Sequence, residues 1–166
     1  MILLGLPGAG KTTVARLAAD LLGAPWHDLD AVVAADAGLS VPELFATRGE
    51  AAFREIERLA LDGLLAGPPA LIAAGGGWAA QPGNLASASP RALTIYLSVS
   101  PELAAHRLGA ARDRPLLAGA TLPRLRELLQ AREGWYRQAD LEMDAQAPPD
   151  VVAAGVATVA RQYAGW

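Results

Sequence analysis

The chain has 166 residues, no cysteine and a net charge of −3, with 14 lysine and arginine side chains against 17 acidic ones. That length suits one domain, the absent thiols exclude disulfides and thiolate metal sites, and the acidic balance argues against general nucleic-acid affinity, which needs a basic patch. The sequence is 52% hydrophobic with a mean hydropathy of +0.24, yet no apolar run approaches the roughly 18–20 residues of a membrane helix. The first residues show neither a basic leader nor a cleavage signal, so a cytoplasmic address without a membrane partner is expected.

Residues 2–4 are an apolar run that ends in glycines, and residues 14–22 carry helical spacing through Val14, Leu17, Ala18 and Leu21 before Gly23 and Pro25 stop them. Between the two, GLPGAGKT at 5–12 matches G-x-x-x-x-G-K-[ST] in full, after a strand and before a helix. The glycines let consecutive amides of Gly8, Ala9, Gly10, Lys11, Thr12 and Thr13 face one concavity, and the dipole of the following helix adds positive potential there. Such a cradle holds the phosphates of a nucleotide such as ATP. Lys11 is the only lysine in the chain, and every other basic side chain is arginine. A compact ammonium fits between phosphate oxygens in a narrow loop where a planar guanidinium is too wide, and Thr12 is expected to place its hydroxyl on Mg²⁺.

Residues 26–28 are a second short strand, followed by Asp28-Leu29-Asp30. If the strand runs through both aspartates they point the same way, one toward a metal-bound water and the other toward an attacking hydroxyl. Asp30 is equally a good N-cap for a helix over 31–37. Ser40-Val41-Pro42-Glu43 reads as a capping box with proline in the first turn, and residues 50–65 carry Phe53, Ile56, Ala60 and Leu64 on one side, the stripe of a core-facing helix. Residues 71–74 are apolar without alternation, as in a strand buried on both faces, and run into Gly75-Gly76-Gly77, three bare residues suited to close approach by a ligand or to a flexible turn. Residues 93–99 form a further strand, and Ser100-Pro101 starts the next helix. A loop over 112–120, a helix from 121 to about 136 and a last helix over about 150–162 complete the chain. Alternating β and α elements argue for a parallel sheet flanked by helices, with ligands at the carboxyl ends of its strands.

Six stretches together resemble the shikimate kinase family, in its order and spacing from residue 1 to about 144: GLPGAGKTT, DLD, LFATRGEAAFREIE, the GGG after an apolar strand, RPLLAG and REGWYRQAD. The resemblance implies an α/β fold, the three-layer P-loop kinase fold of the nucleoside-monophosphate-kinase type with a five-stranded parallel sheet. It implies one domain over 1–166, with a substrate-binding region at about 30–60 and a lid at about 109–121. The implied reaction is transfer of the γ-phosphoryl of ATP, with Mg²⁺, to the 3-hydroxyl of shikimate. For matching positions it implies that Arg54 and Arg132 hold the substrate carboxylate, with Glu57 orienting Arg54. Gly75, Gly76 and Gly77 approach substrate and γ-phosphate. Asp28 serves the metal and Asp30 the substrate hydroxyl. Arg114 reaches from the lid over the transferring phosphoryl, and Arg107 packs over adenine. Read without the resemblance, Arg54 also fits an ordinary i, i+4 surface pair with Glu50, and Arg107 a solvated helix arginine. Trp78, Leu29 and the segment after Asp144 depart from the family pattern. A monomer is expected, and a gluconate-type acid kinase or a nucleotide-binding regulator without transfer activity are the alternative readings.

Overall fold

A computed structural model of the chain describes residues 1–110 and 122–166. Among them are five strands: β1 (Ile2–Leu4), β2 (Trp26–Asp28), β3 (Leu71–Ala73), β4 (Thr94–Ser98) and β5 (Leu141–Asp144). Every pairing is parallel, and the strand order is β2-β3-β1-β4-β5. The chain leaves β1 for one side of the sheet, returns, then crosses to the other side. The crevice beyond the carboxyl end of β1 is therefore the topological switch point, where open parallel sheets bind ligands. β1 and β3 are buried throughout, which is why their sequences read as unbroken apolar runs.

Seven helices flank this sheet among the described residues: α1 (Lys11–Leu22), α2 (Leu29–Ala37), α3 (Val41–Ala66), α4 (Asn84–Ala88), α5 (Pro101–Ala110), α6 (Leu122–Tyr136) and α7 (Pro149–Tyr163). α1 packs on α7, α2 on α3 and α5 on α6. Their ends follow the sequence signals. Ser40 and Glu43 form the reciprocal capping box of α3, and Ser100 accepts from the Leu103 amide at the start of α5. Gly23 ends α1 in the left-handed conformation.

Within α3 the helix breaks at Gly49, whose φ of 77° and ψ of 171° are non-helical and belong to a region open essentially to glycine alone. The break divides α3 into a short segment ending at Arg48 and a longer one starting at Glu50. The second segment carries the predicted stripe, with Phe53, Ala60 and Leu61 buried. Its other face presents Arg54 toward the carboxyl ends of the strands.

Two departures from the family pattern fall into the core. Leu29 is fully buried at the first position of α2, and Trp78 is 1% exposed, its amide donating to the Gly75 carbonyl. Both bulky groups thus pack inward, and neither side chain lines the cleft at the switch point.

Candidate active site

The loop between β1 and α1 supplies the floor of the site. Gly8 has a φ of 84°, and a β-carbon there would lie 2.6 Å from the backbone oxygen of Ala104 on α5. A side chain is thus barred both by conformation and by space. Gly10 caps α1 without any side-chain acceptor, so the first-turn amides keep their capacity for an anion. The Lys11 ammonium lies across the loop and donates to the carbonyls of Gly5 and Leu6, each at 2.9 Å.

Thr12 donates its hydroxyl to Asp28 Oδ2 at 2.6 Å. Asp28 Oδ1 accepts from the amides of Asp30 at 3.1 Å and Ala31 at 3.4 Å. The N-cap of α2 is therefore Asp28, which corrects the reading of Asp30 as the cap. The strand also stops at Asp28 and does not run through both aspartates, because β2 loses its pairing with β3 after Asp28 meets Ala73. Asp30 instead sits in the first turn of α2. It still reaches the glycine loop, since a β-carbon on Gly75 would lie 2.7 Å from Asp30 Oδ1 and 2.9 Å from Glu57 Oε1.

The same loop receives both predicted carboxylate-binding arginines. A β-carbon on Gly77 would fall 2.6 Å from Arg54 Nη2, and Arg132 Nη1 donates to the Gly76 carbonyl at 3.0 Å. Glycine lets these side chains lie directly against the main chain, and a Cβ on Gly75 or Gly77 would push Asp30, Glu57 or Arg54 aside. Arg54 Nη1 donates to Glu57 Oε2 at 2.8 Å, and Nη2 to Glu50 Oε1 at 3.2 Å. The guanidinium carbon also stands 5.1 Å from the Phe53 ring centre and 6.0 Å from that of Phe45. Glu57 is 1% exposed. Arg54 Nε and Glu57 Oε1 are buried and find no hydrogen-bond partner among the described residues, a costly state unless another group meets them.

Electrostatics sort the carboxylates. Burial pushes Asp30 above the usual carboxylate range and the negative charge of Asp28 adds to it, while Lys11 and Arg54 pull the other way. Burial likewise raises Glu57, opposed by its hydrogen bond from Arg54.

A cleft of about 460 Å³ runs from Asp30, Gly75 and Gly76 along the phosphate loop to Arg107, Ala145, Ala147, Pro149 and Val152. At that far end Arg107 ties the phosphate loop to the wall, donating to the carbonyls of Ala9 at 3.4 Å and Ala147 at 3.2 Å. The predicted residues Gly8, Ala9, Gly10, Lys11, Thr12 and Thr13 all line this cleft. Arg114 and the rest of the expected lid from 111 to 121 lie outside the described residues.

Sequence reasoning missed Tyr136 and the wall at 145–152. Tyr136 is 1% exposed and stacks on Tyr96 with ring centres 5.2 Å apart. Its hydroxyl donates to the Gly76 carbonyl beside Arg132. The signal was a large tyrosine in a core helix, whose hydroxyl must find an acceptor when buried. Ala145, Ala147, Pro149 and Val152 have apolar side chains that line the cleft without a motif to announce them.

A phosphate loop at the switch point of a five-stranded parallel sheet, facing a cluster of carboxylates and arginines, defines a P-loop kinase fold. The shikimate kinase family model matches residues 7–161, and the chain belongs to that family. A shikimate kinase of Caulobacter vibrioides is 37% identical over 164 residues, covering 98% of this chain and 82% of the relative. The solved shikimate kinase of Acinetobacter baumannii in complex with shikimate superposes with a TM-score of 0.87 at 31% identity, covering 97% of this chain and 92% of that one. A gluconokinase from Sinorhizobium meliloti shares the fold, with a TM-score of 0.64 at 17% identity over 99% of this chain and 94% of that one.

Proposed function

We propose that this chain transfers the γ-phosphoryl group of ATP to the 3-hydroxyl of shikimate. The observation that carries the reading is that Arg54 from α3 and Arg132 from α6 both reach the glycine loop, whose Gly75 and Gly76 line the end of the cleft opposite Ala145, Ala147 and Val152. Two guanidinium groups brought together in this way match one planar carboxylate.

In the reaction the acceptor oxygen attacks the γ-phosphorus, the bond from that phosphorus to the β,γ-bridging oxygen breaks, and ADP leaves with the electron pair. Asp30 takes the hydroxyl proton, and its raised basicity suits that task. Loop amides and Lys11 hold the phosphates in line, so positioning and charge stabilisation supply most of the rate. The Thr12 hydroxyl and Asp28 carboxylate, 2.6 Å apart, are hard oxygen donors of the kind Mg²⁺ takes. They would hold that ion, which when bound neutralises charge on the phosphate oxygens. Arg107 would pack against adenine, and Arg114 would bring positive charge from the lid.

The chain is read as one domain over 1–166 with substrate-binding region 30–60 and lid 109–121, working as a cytoplasmic monomer on small molecules. The acidic balance supports the reading away from nucleic acid, and no helix among the described residues is long and apolar enough to cross a membrane.

An acceptor panel tests the assignment. With purified protein, ATP and Mg²⁺, shikimate is phosphorylated in preference to gluconate and nucleoside monophosphates. Preference for either competitor, or ATP binding without turnover on any acceptor, contradicts it.

A further inference from the structure

Arg54 is held by two carboxylates of very different kinds. Glu57 is buried and grips Nη1 at 2.8 Å, whereas Glu50 is an exposed side chain, at 65%, that reaches Nη2 at 3.2 Å. Nη2 is also the atom that presses on the glycine loop, 2.6 Å from where a Gly77 β-carbon would stand. The outward edge of the guanidinium, which the proposed reading offers to the substrate carboxylate, is therefore already occupied by a carboxylate of the chain itself.

Charge counting points the same way. Asp28, Asp30, Glu50 and Glu57 face Lys11, Arg54 and Arg132 around the acceptor end. Asp28 is committed to Thr12 and the α2 cap, Asp30 to the cleft and Glu57 to the buried edge of Arg54. Glu50 is the only one of the four that is largely exposed. An exposed i, i+4 pair is weak, so it can be exchanged for a stronger partner. The Gly49 break places Glu50 as the first residue of its helical segment, where its negative charge is tolerated whether or not it touches Arg54.

We infer that Glu50 is an internal competitor for the substrate carboxylate: it occupies Arg54 Nη2 in the empty site, must swing into solvent when the acid binds, and so sets the affinity for shikimate and the preference for acids over neutral analogues. The inference rests on the proposed binding of the substrate carboxylate by Arg54. It assigns Glu50 a specificity role with the opposite sign from that of a binding residue, since removing its charge tightens binding.

Steady-state kinetics test it with shikimate and with its uncharged methyl ester as acceptors, on the wild type, Glu50→Gln, Glu50→Ala and Arg54→Ala. Both Glu50 variants are expected to lower KM for shikimate by about two- to five-fold, the scale of an exposed ion pair, with KM for the ester and for ATP unchanged. Unchanged or raised shikimate KM in both Glu50 variants, with Arg54→Ala raising it, overturns the competitor role and leaves the carboxylate site standing. An equal drop for acid and ester also overturns it, because repulsion acts on the charged acceptor alone. If Arg54→Ala leaves shikimate KM unchanged, the carboxylate site itself is misplaced and the inference falls with it.

Discussion

Replacing Asp30 by asparagine lowers kcat by about 10²- to 10⁴-fold, the range for loss of a positioned general base, and at the same time raises the melting temperature at neutral pH. Asparagine keeps the shape but accepts no proton. The stability gain follows from the direction of the aspartate's shift. Burial and the neighbouring Asp28 make the folded state hold the Asp30 proton more tightly than the unfolded state does. The protonated group's contribution to stability is therefore complete below the ordinary aspartate range and is lost as pH rises through the folded value. At neutral pH the enzyme carries an ionised carboxylate that the fold disfavours, and the amide removes that burden. For activity the sign is reversed, since the base must be ionised. The acid limb of the kcat–pH profile lies above the ordinary aspartate range, and activity falls as pH drops through it. A kcat–pH profile and a thermal melt of the two proteins check both halves. A melting temperature that falls together with kcat would assign Asp30 a structural role.

Lys11→Arg is the second large effect, although it preserves the charge. The ammonium sits within 2.9 Å of two carbonyls on the same tight loop, Gly5 and Leu6. A compact donor can leave these carbonyls and turn to phosphate oxygens within the same small space. A planar guanidinium carries its charge further out and needs a flat partner. The expected loss in kcat/KM for ATP is about 10²- to 10³-fold, the scale for removing one preorganised donor from a transition state. Shikimate binding in the absence of nucleotide stays within about two-fold, because the substitution preserves the positive charge. Steady-state kinetics with ATP varied, and calorimetry with shikimate alone, separate the two. Near-normal turnover by the arginine variant would remove the reason for a lone lysine in an arginine-rich chain.

Much of this architecture was legible because its signals are local. The phosphate loop is a contiguous pattern in which glycine, lysine and threonine each meet a separate physical need, and the structure places residues 7–13 along one cleft. The central strands could be read because burial on both faces makes them uniformly apolar, and the caps at Ser40 and Ser100 lie within three residues of their partners. β5 escaped notice for the converse reason. Its residues alternate between intermediate and exposed along Leu-Glu-Met-Asp, as befits an edge strand paired on one side only.

The Asp28-Leu29-Asp30 stretch shows how far one residue of register matters. Which aspartate caps the helix depends on where β2 stops pairing with β3, a long-range fact that three letters do not contain. Arg54 is a different case. The spacing to Glu50 predicts a surface pair, and that pair forms. The resemblance predicts a site residue, and the guanidinium does press on the glycine loop. The surface pair and the approach to the glycine loop coexist in one side chain, because a helix can present a weak exposed pair and a buried one to opposite edges of the same guanidinium. The approach of Arg132 to Gly76 spans 56 residues, and no local pattern announces it.

The central claim is that the arginines of α3 and α6 clasp the acid while the loop before α1 grips the nucleotide independently. Calorimetric titration of shikimate and of ATP into the Arg54→Ala protein tests it most directly. The account predicts that shikimate affinity collapses while ATP affinity stays near the wild-type value. Equal loss of both ligands, or unchanged shikimate binding, would contradict it.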